Sequence, residues 1–206
     1  MYKFEEALWD KGFKYIAGTD EVGRGPLAGP LVACAVILNP KNPIKGLNDS
    51  KQLSAKKRQI LKLEIEEKAL AIKYVFIDEK TIDKINIYQA SKLGMLEAIK
   101  QLDIEPDYIL SDAMPLKEAN LPFDAIIKGD TLSASIAAAS IIAKEIRDDY
   151  MIKMSKKYPG YDFENNKGYP TKKHVEALKN IGLCDIHRLT YKPVKDILEK
   201  QLSLWE

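Results

Sequence analysis

A chain of 206 residues, 46% hydrophobic and 30% charged with a net charge of +2, has the size and composition of one ordinary globular domain. The near-neutral balance excludes indiscriminate cationic binding, and no apolar run approaches the roughly 20 residues of a membrane span. The amino-terminal stretch MYKFEEALWDKGF is amphipathic and carries acids, which excludes a secretion signal, so a cytoplasmic location is expected.

In chain order, YIAGTDEV and GPLVACAVIL predict two neighbouring strands joined by a glycine-rich turn. SAKKRQILKLEIEEKALA predicts a helix opened by Ser54 as its cap, with Ile60, Leu63, Leu70 and their neighbours at helical spacing. IKYVFI alternates as a strand should, and NIYQASKLGMLEAIKQL predicts a second helix. PDYILSD and FDAIIKGD then predict two strands, each ending in an aspartate. TLSASIAAASIIAKEIRDDYMIKMSKKY predicts a long helix whose Ala- and Ser-rich half can press closely on a sheet. YPGYDFENNKGYP breaks it, and two short helical pieces follow, around 171–180 and 192–200. This order predicts an α/β fold, a mixed sheet flanked by helices. Residues 1–160 are expected to form the catalytic core, and 161–206 a small C-terminal helical lobe and tail within the same single domain. Cys34, inside an apolar run, and Cys184 form no metal-type pair and are expected as buried thiols.

Between Met151 and Lys195 ten Lys/Arg stand against four Asp/Glu, interleaved with five aromatics and both histidines, His174 and His187. That mixture suits nucleic acid, and it equally suits a solvated helical face. The two histidines are expected to pack or to contact phosphate rather than to act as acid–base groups.

Four carboxylates stand out by placement. Asp20 and Glu21 end an apolar strand, Asp112 ends YILS, and Asp130 ends AIIKG. Acids at the ends of strands in one sheet can converge on one edge; Asp130 could instead cap the helix that follows it. Two like charges within about 4 Å repel by roughly 4 kcal/mol at an effective dielectric near 20, so a converged set must hold protons or bind cations. All-oxygen ligands select magnesium or manganese over zinc, and a pair of such ions suits phosphodiester cleavage. A metal-dependent nuclease is the resulting expectation.

DEVGRGPLAGP, NDSKQLS, KGDTLSASIAAASIIAKEIRD, NKGYPTKKH and HRLTYKPV, running in order from Gly18 to Val194, together resemble type 2 ribonuclease H, the bacterial ribonuclease HII family. The resemblance implies a ribonuclease H-like fold with a C-terminal helical lobe. It also implies an endonuclease using Mg2+ or Mn2+ that cuts the RNA strand of RNA–DNA hybrids, including 5′ to single ribonucleotides in duplex DNA, leaving 3′-hydroxyl and 5′-phosphate ends. Its metal-binding tetrad falls on Asp20, Glu21, Asp112 and Asp130, and its Gly-Arg-Gly element on Gly23, Arg24 and Gly25. Its tyrosine falls on Tyr169, which with that element would recognise the ribose at an RNA–DNA junction. Glycine lets a backbone approach a sugar closely, and the 2′-hydroxyl distinguishes RNA from DNA. Lys51 resembles the family's phosphate-contacting lysine, with a solvated helix-start lysine as the alternative.

Pro170 and the CDIHR segment depart from the commoner pattern. A DNA nuclease of the same fold and a non-cutting hybrid-binding module are the rival readings. The terminal QLSLWE resembles a sliding-clamp-binding peptide through Gln201, Leu202, Leu204 and Trp205, or else ends a helix that folds back on the core. The enzyme is expected to work as a monomer with no membrane partner.

Overall fold

The computed structural model describes residues 1–202, the last two as helix backbone; the tail signature at Gln201, Leu202, Leu204 and Trp205 lies outside the described side chains. Helix α1 (Lys3–Asp10) leads into strand β1 (Ile16–Val22), which pairs antiparallel with β2 (Leu31–Ile37). Helix α2 (Ala55–Lys68) precedes β3 (Ala71–Ile77), antiparallel to β2. Helix α3 (Glu79–Lys100) then crosses to β4 (Tyr108–Asp112), which lies parallel to β1 and to β5 (Phe123–Ile126). A short α4 (Gly129–Leu132), the long α5 (Ala134–Lys157), and α6 (Phe163–Asn166), α7 (Lys172–Ile181) and α8 (Val194–Leu202) complete the chain. The sheet order β3-β2-β1-β4-β5 is the expected mixed sheet, and it puts β1, bearing Asp20 and Glu21, at the centre beside β4, bearing Asp112.

Alternation along β1 and β2 divides the core between the sheet's two faces. Ala17, Leu31, Ala33 and Ile37 meet Ala90, Met95 and Ala98 of α3, while Val22, Val32, Cys34 and Val36 meet Ala137, Ala138 and Ile141 of α5. The small residues of α5 let it sit against β1, as expected. A Cβ built on Gly18 would lie 2.1 Å from the carbonyl carbon of Ser135, so strand and helix backbones touch with no side chain between them. A third cluster joins Leu27, Ala28 and Met151 to Phe163, Leu178, Ile186 and Val194 of the C-terminal segment.

Five expectations need correction. In α2 the buried positions are Leu61 and Ile65, four apart on one face, whereas Ile60, Leu63 and Leu70 are exposed. Helix α3 begins at Glu79, before the NIYQ segment, capped by Asp78 and broken at Asn86, whose φ of 64° and ψ of 166° are non-helical. FDAIIKGD does not carry a strand to its aspartate. β5 stops at Ile126, Lys128 turns the chain with a left-handed φ of 58°, and Asp130 lies within α4. Asp130 is not the cap of the long helix either; Ser133 is, accepting from Ile136 N–H. Finally, Cys34 is buried but Cys184 only partly so, and both are free thiols.

Candidate metal and nucleic-acid site

Three of the four carboxylates converge although they come from different kinds of element. Asp20, two residues short of the end of β1, and Asp112, the last residue of its parallel neighbour β4, meet Asp130 reaching in from α4. One carboxylate oxygen from each lies within 4.8 Å of the other two. Asp20 Oδ1 accepts the Glu21 amide at 2.7 Å and Asp112 Oδ1 accepts the Gly129 amide at 2.8 Å, so the backbone sets the orientation of both.

Burial, then Glu21 and Asp112, push the Asp20 carboxyl well above its ordinary range, and burial with Asp112 and Asp49 raises Asp130. Glu21, next in the strand, turns aside. Its Oε1 is 3.4 Å from Arg24 Nη1, its buried Oε2 has no partner among the described residues, and burial holds its pKa up at about 7 against the lowering effect of Arg24. A cluster of crowded carboxylate oxygens in which Asp20, Glu21 and Asp130 are all pushed up, with one Glu21 oxygen unbonded among the described residues, is the environment a hard divalent cation relieves. The donor set fits: carboxylate oxygens from Asp20, Asp112 and Asp130, with Glu21 beside them.

The Gly-Arg-Gly turn leads away from the same strand end. Gly23 has a φ of 108°, and a Cβ there would sit 2.4 Å from Arg147 Nε. Its missing side chain therefore makes room for an internal arginine, and the reason for that glycine lies inside the protein. Gly25 differs. It is exposed, and a Cβ there would stand 3.5 Å from the ring of Tyr169. Sequence-distant Gly25 and Tyr169 thus face each other, and Arg24 beside Gly25 is exposed.

Lys51 lies at the rim. Burial would lower its pKa, but Asp20, Asp49 and Asp130 together raise it. Its loop is fixed from below, where Arg58 pairs with Glu145 at 2.7 Å and donates to the Ser50 and Leu53 carbonyls, and where Ser50 and Ser140 share a 3.0 Å hydrogen bond. His174 and His187 do not reach this surface. They are buried, so phosphate contact is ruled out and packing is borne out.

A statistical model of the family named Ribonuclease HII matches residues 17–194. The chain belongs to the ribonuclease HII family. The ribonuclease HII of Listeria monocytogenes serovar 1/2a is 56% identical over 198 residues, covering 95% of this chain and 75% of that protein. Among solved structures, ribonuclease H2 from Pyrococcus horikoshii OT3 superposes with a TM-score of 0.78 at 28% identity, covering 91% of this chain and 98% of that one. The structure of the PCNA:RNase HII complex from Archaeoglobus fulgidus matches with a TM-score of 0.75 at 26% identity, covering 87% of this chain and 96% of that one. The expected fold and family are therefore those of this ribonuclease HII.

Three supporting residues escape a reading of the sequence. Arg147 and Arg188 are fully buried. Arg188 donates to the carbonyls of Gly23 (2.7 Å), Gly29 (2.7 Å) and Arg24 (3.2 Å), and Arg147 to those of Pro30 (2.9 Å), Lys167 (3.0 Å) and Ala28 (3.2 Å). Two guanidiniums thus hold the turn in shape and tie it to the segment preceding Tyr169. Glu5 of α1 is the third. Its buried Oε1 accepts from Ser133 Oγ, Ser135 Oγ and Ser135 N–H, at 2.6 to 2.8 Å, and so pins the segment that follows Asp130. Arginine and glutamate default to the surface, so composition offered no signal for any of the three.

Proposed function

We propose that this ribonuclease HII is an endonuclease that hydrolyses the RNA strand of RNA–DNA hybrids and cuts 5′ to single ribonucleotides in duplex DNA. One observation carries the reading: a three-aspartate cluster within 4.8 Å stands at the end of the strand from which the Gly25–Tyr169 pair is built. Asp20, Asp112, Asp130 and Glu21 would hold Mg2+ or Mn2+. When bound, such ions supply a water-derived nucleophile at neutral pH and offset charge on the leaving oxygen.

The chain's own groups do the positioning. The Glu21 and Gly129 amides orient Asp20 and Asp112, so the ligand oxygens need little rearrangement. Arg24 would meet the ribose and its phosphate at the turn, because its carbonyl is tethered by Arg188 and by the Tyr191 hydroxyl at 2.9 Å while its side chain is exposed. Gly23 shapes that turn, Gly25 leaves room beside the Tyr169 ring, and the ring would stack on the neighbouring deoxyribose. Lys51 would contact phosphate. Cleavage breaks the bond between phosphorus and the 3′-oxygen, which fits 3′-hydroxyl and 5′-phosphate products. A duplex carrying one ribonucleotide, incubated with magnesium, manganese or excess chelator, tests this. Cutting in chelator overturns the metal mechanism, and equal cutting of an all-DNA duplex overturns the substrate.

In the same reading the C-terminal lobe, 161–206, is part of one domain with the core of 1–160, supported by the cluster that Leu27 and Met151 share with Phe163 and Leu178. The enzyme acts as a cytoplasmic monomer; no helix among the described residues is long and apolar enough to cross a membrane. Gln201, Leu202, Leu204 and Trp205 would dock on a sliding clamp, a reading supported by the archaeal relative solved with PCNA. An anisotropy titration of the clamp with the whole chain and with one lacking 201–206 tests it, equal binding counting against the tail.

A further inference from the structure

His174 and His187 touch neither the carboxylate cluster nor the surface. Burying two imidazoles is a costly way to fill a core, unless their hydrogen bonds do something an apolar pair could not. The rings lie against Tyr161 and Phe163, and their hydrogen bonds admit one arrangement of protons when both are neutral. His174 Nδ1 is 2.9 Å from the Tyr169 carbonyl oxygen, which can only accept, so Nδ1 carries the hydrogen. Its Nε2 is then bare, and it faces His187 Nε2 at 3.1 Å, so that nitrogen must donate. His187 Nδ1 is bare in turn. It receives the Cys184 amide at 2.9 Å, with the Cys184 thiol 3.2 Å away as a second donor, and the Cys184 carbonyl oxygen, also 3.2 Å away, is left without a hydrogen from this ring. Every donor meets an acceptor, from the Cys184 amide to the Tyr169 carbonyl. Burial keeps both rings neutral, His187 being lowered to about 4 and His174 in the same direction.

We infer that His174 and His187 are positioning residues for Tyr169, a two-imidazole tether that sets where its ring stands relative to Gly25 and hence how the enzyme recognises a ribonucleotide junction. The inference rests on the reading that Tyr169 meets the nucleic acid. The other hydrogen bonds of Tyr169 itself are local, its amide donating to Asn166 O at 2.9 Å and its carbonyl also accepting from the Thr171 amide at 2.8 Å, while the Arg147 guanidinium stands 6.0 Å from the centre of its ring. The imidazole chain runs directly from this residue to the segment around Cys184, alongside a backbone path in which Leu27 bridges Gly168 and Arg188, the residue that holds the opposing turn. One segment, 184–188, therefore governs both sides of the Gly25–Tyr169 gap.

Two substitutions separate tethering from filling. In His187→Gln the amide nitrogen reaches the place of Nε2 and can still donate to His174. In His187→Asn the side chain reaches only the place of Nδ1, satisfies Cys184, and leaves His174 without its donor. On a single-ribonucleotide duplex, His187→Asn should raise KM about tenfold, the scale of one buried hydrogen bond, with kcat within about twofold, while His187→Gln stays within about threefold of wild type. Equal losses in the two variants overturn the tether. So does an unchanged KM in His187→Asn when Tyr169→Ala raises it. An unchanged KM in Tyr169→Ala sinks the reading of Tyr169 as a substrate contact, and the tether's purpose with it. Should either His187 variant fail to fold, imidazole 15N spectra of the wild-type protein decide. One ring must be protonated at Nδ1 and the other at Nε2, and two rings protonated at Nε2 refute the chain.

Discussion

Asp112→Asn separates the charge of the cluster from its shape. The Gly129 amide donates to Asp112 Oδ1 at 2.8 Å, and an asparagine oxygen accepts it equally well, so the substitution removes charge and little else. Oxygens within 4.8 Å of one another repel by about 3.5 kcal/mol per charged pair at an effective dielectric near 20. The upward shifts of Asp20 and Asp130 relieve part of this, leaving a gain of about 2 kcal/mol for the metal-free variant. For a chain of this length that amounts to about 4–8 °C in Tm, measured in chelator by calorimetry or differential scanning fluorimetry. Adding magnesium or manganese should then raise the wild-type Tm, by about 2.7 kcal/mol at a hundredfold excess over Kd, and leave the variant's unmoved. Turnover on the single-ribonucleotide duplex should fall at least about a hundredfold while duplex binding in chelator is retained. A variant no more stable than wild type in chelator, or equally stabilised by metal, would refute a shared cation site.

Arg188→Lys should cost about 3 kcal/mol in urea denaturation, because one ammonium cannot span the carbonyls of Gly23, Arg24 and Gly29; a loss below about 1 kcal/mol would make the guanidinium dispensable. Gly18→Ala should destabilise by about 3 kcal/mol, since its Cβ would lie 2.1 Å from the backbone of Ser135 and neither strand nor helix can yield; an unchanged urea midpoint would contradict that packing. His187 titrates near its ordinary value when unfolded but at about 4 when folded, so unfolding takes up a proton and stability falls as pH drops from about 6.5 to 4, by about 3 kcal/mol. The raised carboxyls of Asp20, Glu21 and Asp130 act in the opposite sense over part of that range. The measurement is therefore the difference between wild type and His187→Gln, and a pH-independent difference would count against a buried neutral ring.

Strand runs were legible because they alternate or stay apolar between turn signals, and Asp20 and Asp112 could be located as their ends. Asp130 could not, since the chain reverses at Lys128 through a left-handed φ that no local pattern announces. In α2, apolar residues occupy more than one face, and only packing against the sheet and α5 decides that Leu61 and Ile65 are the buried pair. Tyr169 was picked out by resemblance, but its approach to Gly25 depends on contacts among four separate segments. The buried roles of Arg147, Arg188 and Glu5 are likewise long-range, and a charged residue carries no mark in the sequence of whether carbonyls or water will surround it.

The bonds of Glu5 bear on the order in which the protein is made. Its partners Ser133 and Ser135 lie 128 and 130 positions later, so on the ribosome α1 emerges long before anything can satisfy its buried carboxylate. A nascent chain ending before Ser133 carries at most two residues beyond Asp130. The last aspartate and the clamp behind it are thus synthesised together, and a growing polypeptide is kept from acquiring a complete acidic centre until the helix that backs the sheet has begun to appear.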